Sequence, residues 1–187
     1  MYEGVDTVVL YNELAYQDIA PVQWQELAQP LDAYVLGGLE DANSLLLQAC
    51  IAVEERPARD SSEDLGPVAG ELARLDFKLN LILQLLGRLV MQDRMPPPTS
   101  IQFNAVGASW QPLEPPPSVG ARGLLRVQLC SSLPQSLELP AQVVAASETE
   151  VEVKFMRLSQ GAVELIQKLA FLRHRRHIAD VRKARHA

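Results

Sequence analysis

The sequence predicts an α+β protein: a small antiparallel β-barrel, a long heptad-bearing helical insertion, and a C-terminal helix. Three observations carry this expectation. Between Ser100 and Leu158 the chain offers short runs of β-branched and aromatic residues broken by turn formers. Between Leu65 and Leu89 large aliphatics recur every three and four residues without a gap. After Gln160 the pattern is again helical and strongly basic.

Taken in order, "DTVVLYNELAYQDI" (residues 6–19) reads as one or two short strands. Pro21 and Pro30 bracket a short segment containing Trp24. From Leu31 to about Glu55, Val35, Leu39, Ala42, Leu46, Ala49 and Val53 follow helical spacing, weakened at the start by Gly37 and Gly38. "RPARDSSEDLGP" (residues 56–67) is a polar loop ending in helix-start chemistry, with Ser61, Ser62 and Asp64 as acceptors and Pro67 for a first turn. A second helix follows and is stopped by "MPPPTS" (residues 95–100). Four strand-like runs come next: "SIQFNAVGASW", "RGLLRVQLC", "LELPAQVVAAS" and "EVEVKFMRL". The last helix spans about Gln160 to Arg185. The chain therefore divides into an N-terminal strand segment completing the barrel (1–30), a helical hairpin serving as oligomerisation element (31–95), and a barrel with its basic helix (96–187).

The second helix explains why so much leucine sits on one element. Leu65, Leu72, Leu79 and Leu86 share one heptad position, and Val68, Leu75, Ile82 and Leu89 share the position three further on. An ordinary helix packed on a sheet drifts away from a strict seven-residue repeat, whereas a bundle of helices keeps it. Leu83, Leu85 and Val90 widen the apolar face toward the C-terminal half. A helix apolar on two adjacent faces needs two neighbours, so the eight seam residues predict self-association as a homotetramer.

Composition excludes several function classes. Net charge is −6, which opposes a polyanion partner, so nucleic acid is not expected. Residues 1–70 hold only Arg56 and Arg59 as cations, and the balance reverses toward the C-terminus. Cys50 and Cys130 stand far apart in sequence, as buried reduced thiols of a cytoplasmic protein do. Glu3 and Asp6 are at odds with a secretory signal, and Asn80, Gln84 and Arg88 interrupt the most apolar run, so no membrane span is expected. No P-loop, dinucleotide fingerprint or nucleophile elbow occurs, and Ser131, Ser132 and Ser159 have no plausible base. His174 and His177 lie three apart among arginines without a completing ligand. The expectation is a non-enzyme with no metal.

From about Thr99 to His174 the runs "IQFNAVGASW", "RGLLRVQLCSSLP", "LELPAQVV", "EVEVKFMRLSQ" and "LAFLRHRR" resemble a PilZ domain, a small β-barrel of bacterial cyclic-di-GMP signalling capped by a C-terminal helix. With heptad-bearing helices inserted before the barrel, the chain is similar to the atypical, tetrameric members of that family. Typical members bind the dinucleotide through an R-x-x-x-R arm and a [D/N]-x-S-x-x-G turn. Arginine supplies planar paired donors to phosphate, serine a hydroxyl, and glycine close approach of backbone. Here the turn reads N-A-V-G-A-S: Asn104 matches, Val106 replaces the serine, and Ser109 the glycine. Arg56 and Arg59 are too close together to form the arm, and Arg94 stands alone. The resemblance thus implies an oligomeric signalling adaptor or scaffold in cyclic-di-GMP-linked control of motility or virulence. It acts through protein contacts and carries no cofactor. The alternative is a cyclic-di-GMP receptor with a rebuilt nucleotide site.

One further surface has a functional look. In "RHRRHIADVRKARHA", Arg173, Arg175, Arg176, Arg182 and Lys183 flank an apolar stripe of Phe171, Ile178 and Val181. The cations fit a solvated helix end complementing the helix dipole, docking of an acidic protein partner of unknown identity, or contact with nucleic acid or an anionic membrane.

Overall fold

The computed structural model describes residues 9–55, 96–130, 133 and 135–186, together with ten positions between 71 and 86. A two-stranded hairpin opens it, β1 (Val9–Leu10) and β2 (Glu13–Leu14). Then come β3 (Tyr16–Glu26) and α1 (Ala33–Glu54). The ten described positions between 71 and 86 are all helical (α2). Five strands follow, β4 (Pro98–Phe103), β5 (Gly107–Trp110), β6 (Arg122–Val127), β7 (Leu137–Ala146) and β8 (Val151–Phe155), and α3 (Gln160–His186) ends the described chain.

Six strands close an antiparallel barrel in the order β3-β4-β5-β8-β7-β6. Alternation of apolar and polar residues sets which face turns inward. Leu137, Leu139, Ala141 and Val143 of β7 are buried, as are Val151 and Val153 of β8 and Ile101 and Phe103 of β4. The strand β3 joins both ends of the sheet. Its residues Tyr16 to Pro21 pair with β4, and Val22 to Glu26 pair with β6.

This double role explains two departures from the sequence reading. The Trp24 segment is not a separate piece between prolines but the second half of β3. Pro21 is tolerated because it faces Pro98 at the last rung of the β3–β4 ladder, where one partner strand hands over to the next. Likewise "SIQFNAVGASW" is not one strand. It folds back at Asn104 to form β4 and β5, paired from Phe103↔Ala108 to Ile101↔Trp110.

Both barrel-bound helices start at side-chain caps. Asp32 accepts from the Val35 amide at 2.8 Å, and the Ser159 hydroxyl accepts from the Ala162 amide at 3.2 Å. The inward stripe of α1 is Asn43, Leu46, Leu47, Cys50 and Ile51, spaced as one helical face. It packs against α3 and β7, and α3 contributes Ala162, Ile166, Leu169 and Ala170 to the same core. Asn43 fastens α1 to β7: its Nδ2 donates to the Glu138 carbonyl at 2.7 Å and its Oδ1 accepts from the Glu138 amide at 3.0 Å. Such a paired link satisfies a buried amide that would otherwise cost about 1–3 kcal/mol.

Candidate functional site

Three places draw on the residues singled out by sequence: the β4–β5 turn, the basic end of α3, and the leucine seam of α2. At the turn, Asn104 is buried, and its side chain is wholly engaged within the protein. Its Oδ1 accepts from the amides of Val106 and Gly107 at 2.8 and 3.0 Å. Its Nδ2 donates to the Leu10 carbonyl at 2.6 Å. Asn104 thereby builds an Asx turn and ties it to the N-terminal hairpin.

That hairpin is seated on the turn. Tyr11 and Asn12 both have positive φ, 52° and 64°, the backbone of a type I′ hairpin turn. The Tyr11 hydroxyl is within 3.4 Å of Glu152 Oε2 and 3.3 Å of the Val153 carbonyl, and Lys154 Nζ lies 5.0 Å from the ring centre. Burial first, then the charges of Glu152 and Glu150, push the Tyr11 pKa up to about 12. A Cβ on Gly107 would press into the Val153 carbonyl and stand 2.7 Å from the Tyr11 ring, so only glycine lets hairpin and turn meet.

Ser109 is turned to a different use from phosphate binding. It is buried in β5, and its hydroxyl donates to Glu150 Oε1 at 2.6 Å. Val106 contributes backbone, its carbonyl accepting from the Phe155 amide at 2.9 Å. Asn104, Val106 and Ser109 are thus brought together, but as structural joints.

The described cations of the expected docking surface on α3, Arg173, Arg175 and Arg176, do not share one environment. Arg173 faces inward, where its Nη1 meets Asp18 Oδ2 at 2.7 Å and its Nε meets Glu54 Oε1 at 3.3 Å. Nη2 donates to the Leu129 carbonyl, and the guanidinium lies 5.1 Å from the centre of the Tyr16 ring. Arg173 therefore bolts α3 to α1, to β3 and to the segment after β6, and it leaves the docking surface expected from sequence. Its burial opposes the charge, but Tyr16, Asp18 and Glu54 outweigh that penalty and raise its pKa. Burial also drives the Tyr16 phenol upward, against the pull of Arg173. Arg176 is exposed yet reaches Glu54 Oε2 at 2.6 Å, while exposed Arg175 lies 5.9 Å from the Phe171 ring. The side chains of Arg182 and Lys183 lie outside the described residues, as do those of His177 and Val181.

Of the seam, Leu65, Val68 and Leu89 lie outside the described residues. Leu72, Leu75, Leu79, Ile82 and Leu86 are helical and exposed in the single chain, Leu72 by 61% and Leu79 by 60%. Leu81 and Leu85 are exposed beside them. A contiguous aliphatic surface of this kind is uncommon on a monomer and marks a contact face. Among the described residues there is no cluster of three or more metal-ligating side chains, and no helix is long and apolar enough to cross a membrane.

Sequence reasoning missed Tyr11, Tyr16, Asp18 and Glu54 as partners in these sites. Nothing in their local pattern distinguishes them from strand or helix-surface residues, because their roles arise between elements remote in sequence.

Comparison with known proteins adds two findings. A family model described as "Atypical PilZ domain, cyclic di-GMP receptor" matches residues 47–183, well over half of the chain. Among solved structures, a pathogenic protein from Xanthomonas campestris is similar at 26% identity and a TM-score of 0.67, covering 91% of this chain and 93% of that one. That protein is described as a new tetrameric PilZ domain self-assembled via an unusual helical bundle. No curated protein matches.

Proposed function

The chain belongs to the atypical PilZ domain family, and on that premise we propose that it is an oligomeric adaptor or scaffold in bacterial cyclic-di-GMP-linked signalling. It acts through protein contacts in the control of motility or virulence, without catalysis and without the family's usual nucleotide turn. The observation that carries this reading is the exposed seam of α2. Leu72, Leu75, Leu79, Ile82 and Leu86 form an apolar strip that a second copy of the same helix covers. The similar Xanthomonas protein, self-assembled via a helical bundle, supports four copies. A tetramer presents its exposed basic α3 residues, Arg175 among them, in four copies, so that weak contacts with an acidic partner gain through avidity.

Nucleotide binding by the usual turn is disfavoured by the geometry of Asn104 and Ser109, whose polar atoms are engaged at 2.6 to 3.0 Å within the fold. The family's description as a cyclic di-GMP receptor supports the second reading, a rebuilt nucleotide site. One cavity suits it: about 360 Å³, lined by Leu36, Met156 and Pro140, and flanked by Arg122 and Arg157.

Two measurements decide between and test these readings. Light scattering on the purified chain should give four times the 20.6 kDa chain mass, and the double variant Leu75→Asp, Leu79→Asp should give a monomer with an intact barrel by circular dichroism. An unchanged mass in the double variant sinks the seam. Titration calorimetry with cyclic-di-GMP should show no heat. Saturable heat abolished by Arg122→Ala or Arg157→Ala would establish the receptor reading instead.

A further inference from the structure

The only two cysteines of the chain, far apart in sequence, are neighbours in the fold. Cys50 projects from the buried face of α1, and Cys130 follows β6 and packs partly exposed against the same core. The two thiols sense each other directly: Cys130 is the first cause, ahead of burial, of the raised Cys50 pKa. The surrounding framework holds them there. One helical turn beyond Cys50, Glu54 grips Arg173 at 3.3 Å, and the same guanidinium holds the carbonyl of Leu129, the residue before Cys130. The backbones that carry the two sulfurs are thus clamped by one side chain from a third element.

We propose that Cys50 and Cys130 are an oxidation site, closing to a reversible intrachain disulfide when the protein meets a hydroperoxide and thereby locking α1 to the barrel. The two sulfurs have distinct parts. Cys50 is fully buried, while Cys130 is partly exposed, so an oxidant in solvent reaches Cys130. The neighbouring Cys130, and after it burial, raises the Cys50 pKa, so Cys50 keeps its proton and serves as the second, resolving thiol.

The chemistry balances as follows. The Cys130 thiolate attacks the peroxide, a sulfur–oxygen bond forms, the O–O bond breaks, and the leaving oxygen takes a proton as water or an alcohol. Cys50 then attacks the Cys130 sulfur, the S–S bond forms, and the hydroxyl departs with the Cys50 proton as water. Two thiols lose two electrons and two protons in all, and the peroxide is the species reduced. Because the bridge closes a long loop of the chain, it raises the thermal midpoint by roughly 5–15 °C.

The test uses the full chain, reduced, exposed to a small excess of hydrogen peroxide, then blocked with N-ethylmaleimide. Intact mass should fall by two hydrogens before blocking, neither cysteine should take the label, and the peptide map should join Cys50 to Cys130. Dithiothreitol should restore both thiols and the lower midpoint. Cys50→Ser should accumulate a sulfenic acid at Cys130 that dimedone traps. Two labelled cysteines after peroxide, added oxygen without a bridge, or a bridge between chains would each overturn the proposal. If Cys50→Ser does not fold, the peptide map of the unaltered chain decides alone.

Discussion

Arg173 and Asp18 meet at 2.7 Å, joining the last helix of the fold to its first barrel strand. The contact is part of a larger knot in which Glu54, the Leu129 carbonyl and the Tyr16 ring take the other faces of the same guanidinium. Arg173 is 14% exposed and Glu54 12%, so this charge pair is largely removed from water. Replacing Arg173 by Met removes the buried partner of Glu54, leaves that carboxylate to the exposed Arg176, and should cost about 3–5 kcal/mol. Urea unfolding monitored by Trp fluorescence measures it, and a loss below about 1 kcal/mol would contradict the knot's importance.

The tyrosines give the protein an alkaline limit. A phenol whose folded pKa lies above its unfolded value contributes stability that is fully present below the unfolded pKa, near 10, and is lost as pH climbs through the folded one. Tyr11, pushed up to about 12, and buried Tyr16 both act in this direction. Thermal midpoints should hold from neutral pH to about 9 and fall steadily from there toward 12. Tyr11→Phe should flatten that fall, and a midpoint that rises above pH 10 would refute the assignment.

Asn104→Ala removes three hydrogen bonds at one buried position. A destabilisation of about 2–4 kcal/mol is expected, with the unpaired Leu10 carbonyl and Val106 and Gly107 amides supplying most of it. Hydrogen exchange should show the amides of the Val9–Leu14 hairpin losing protection at lower cost than those of β7. Equal loss across the whole barrel would mean that the hairpin is not separately held by Asn104.

Glycines offer a contrast of sign. At Gly107 an added methyl collides with the Val153 carbonyl, backbone that cannot turn aside, so Gly107→Ala should destabilise by about 1–3 kcal/mol or more. At Gly37 and Gly38, inside α1, an added methyl meets nothing within 4 Å. Each of those alanine substitutions should stabilise by about 0.5–1 kcal/mol, read as a higher thermal midpoint.

Much of this architecture is legible in the sequence because periodicity reports directly on burial. The stripe of α1 and the alternation of β7 are visible residue by residue, and the last helix begins at Gln160 in both readings. What misled were signals whose meaning depends on a distant partner. Pro21 looks like a strand breaker until Pro98 is placed opposite it. Arg173 looks like its solvated neighbours until Asp18 and Glu54 converge on it. Cys50 and Cys130 look unrelated because sequence separation says nothing about proximity between α1 and the segment that follows β6. At the β4–β5 turn, the loss of the binding motif is visible in the letters N-A-V-G-A-S, but the hairpin seated over it is not.

The strand β3 has a consequence for how the chain is made. It leaves the ribosome well before its neighbours on either side, β4 and β6, the second ending only at Val127. Until then its apolar face and backbone edges have no partner, and closing the ring entails long-range pairing that is intrinsically slow. During synthesis the nascent segment from Tyr16 to Glu26 is therefore the part most open to mispairing with another chain. Its Pro21, which cannot donate to a ladder, interrupts any alien strand that tries to run along it.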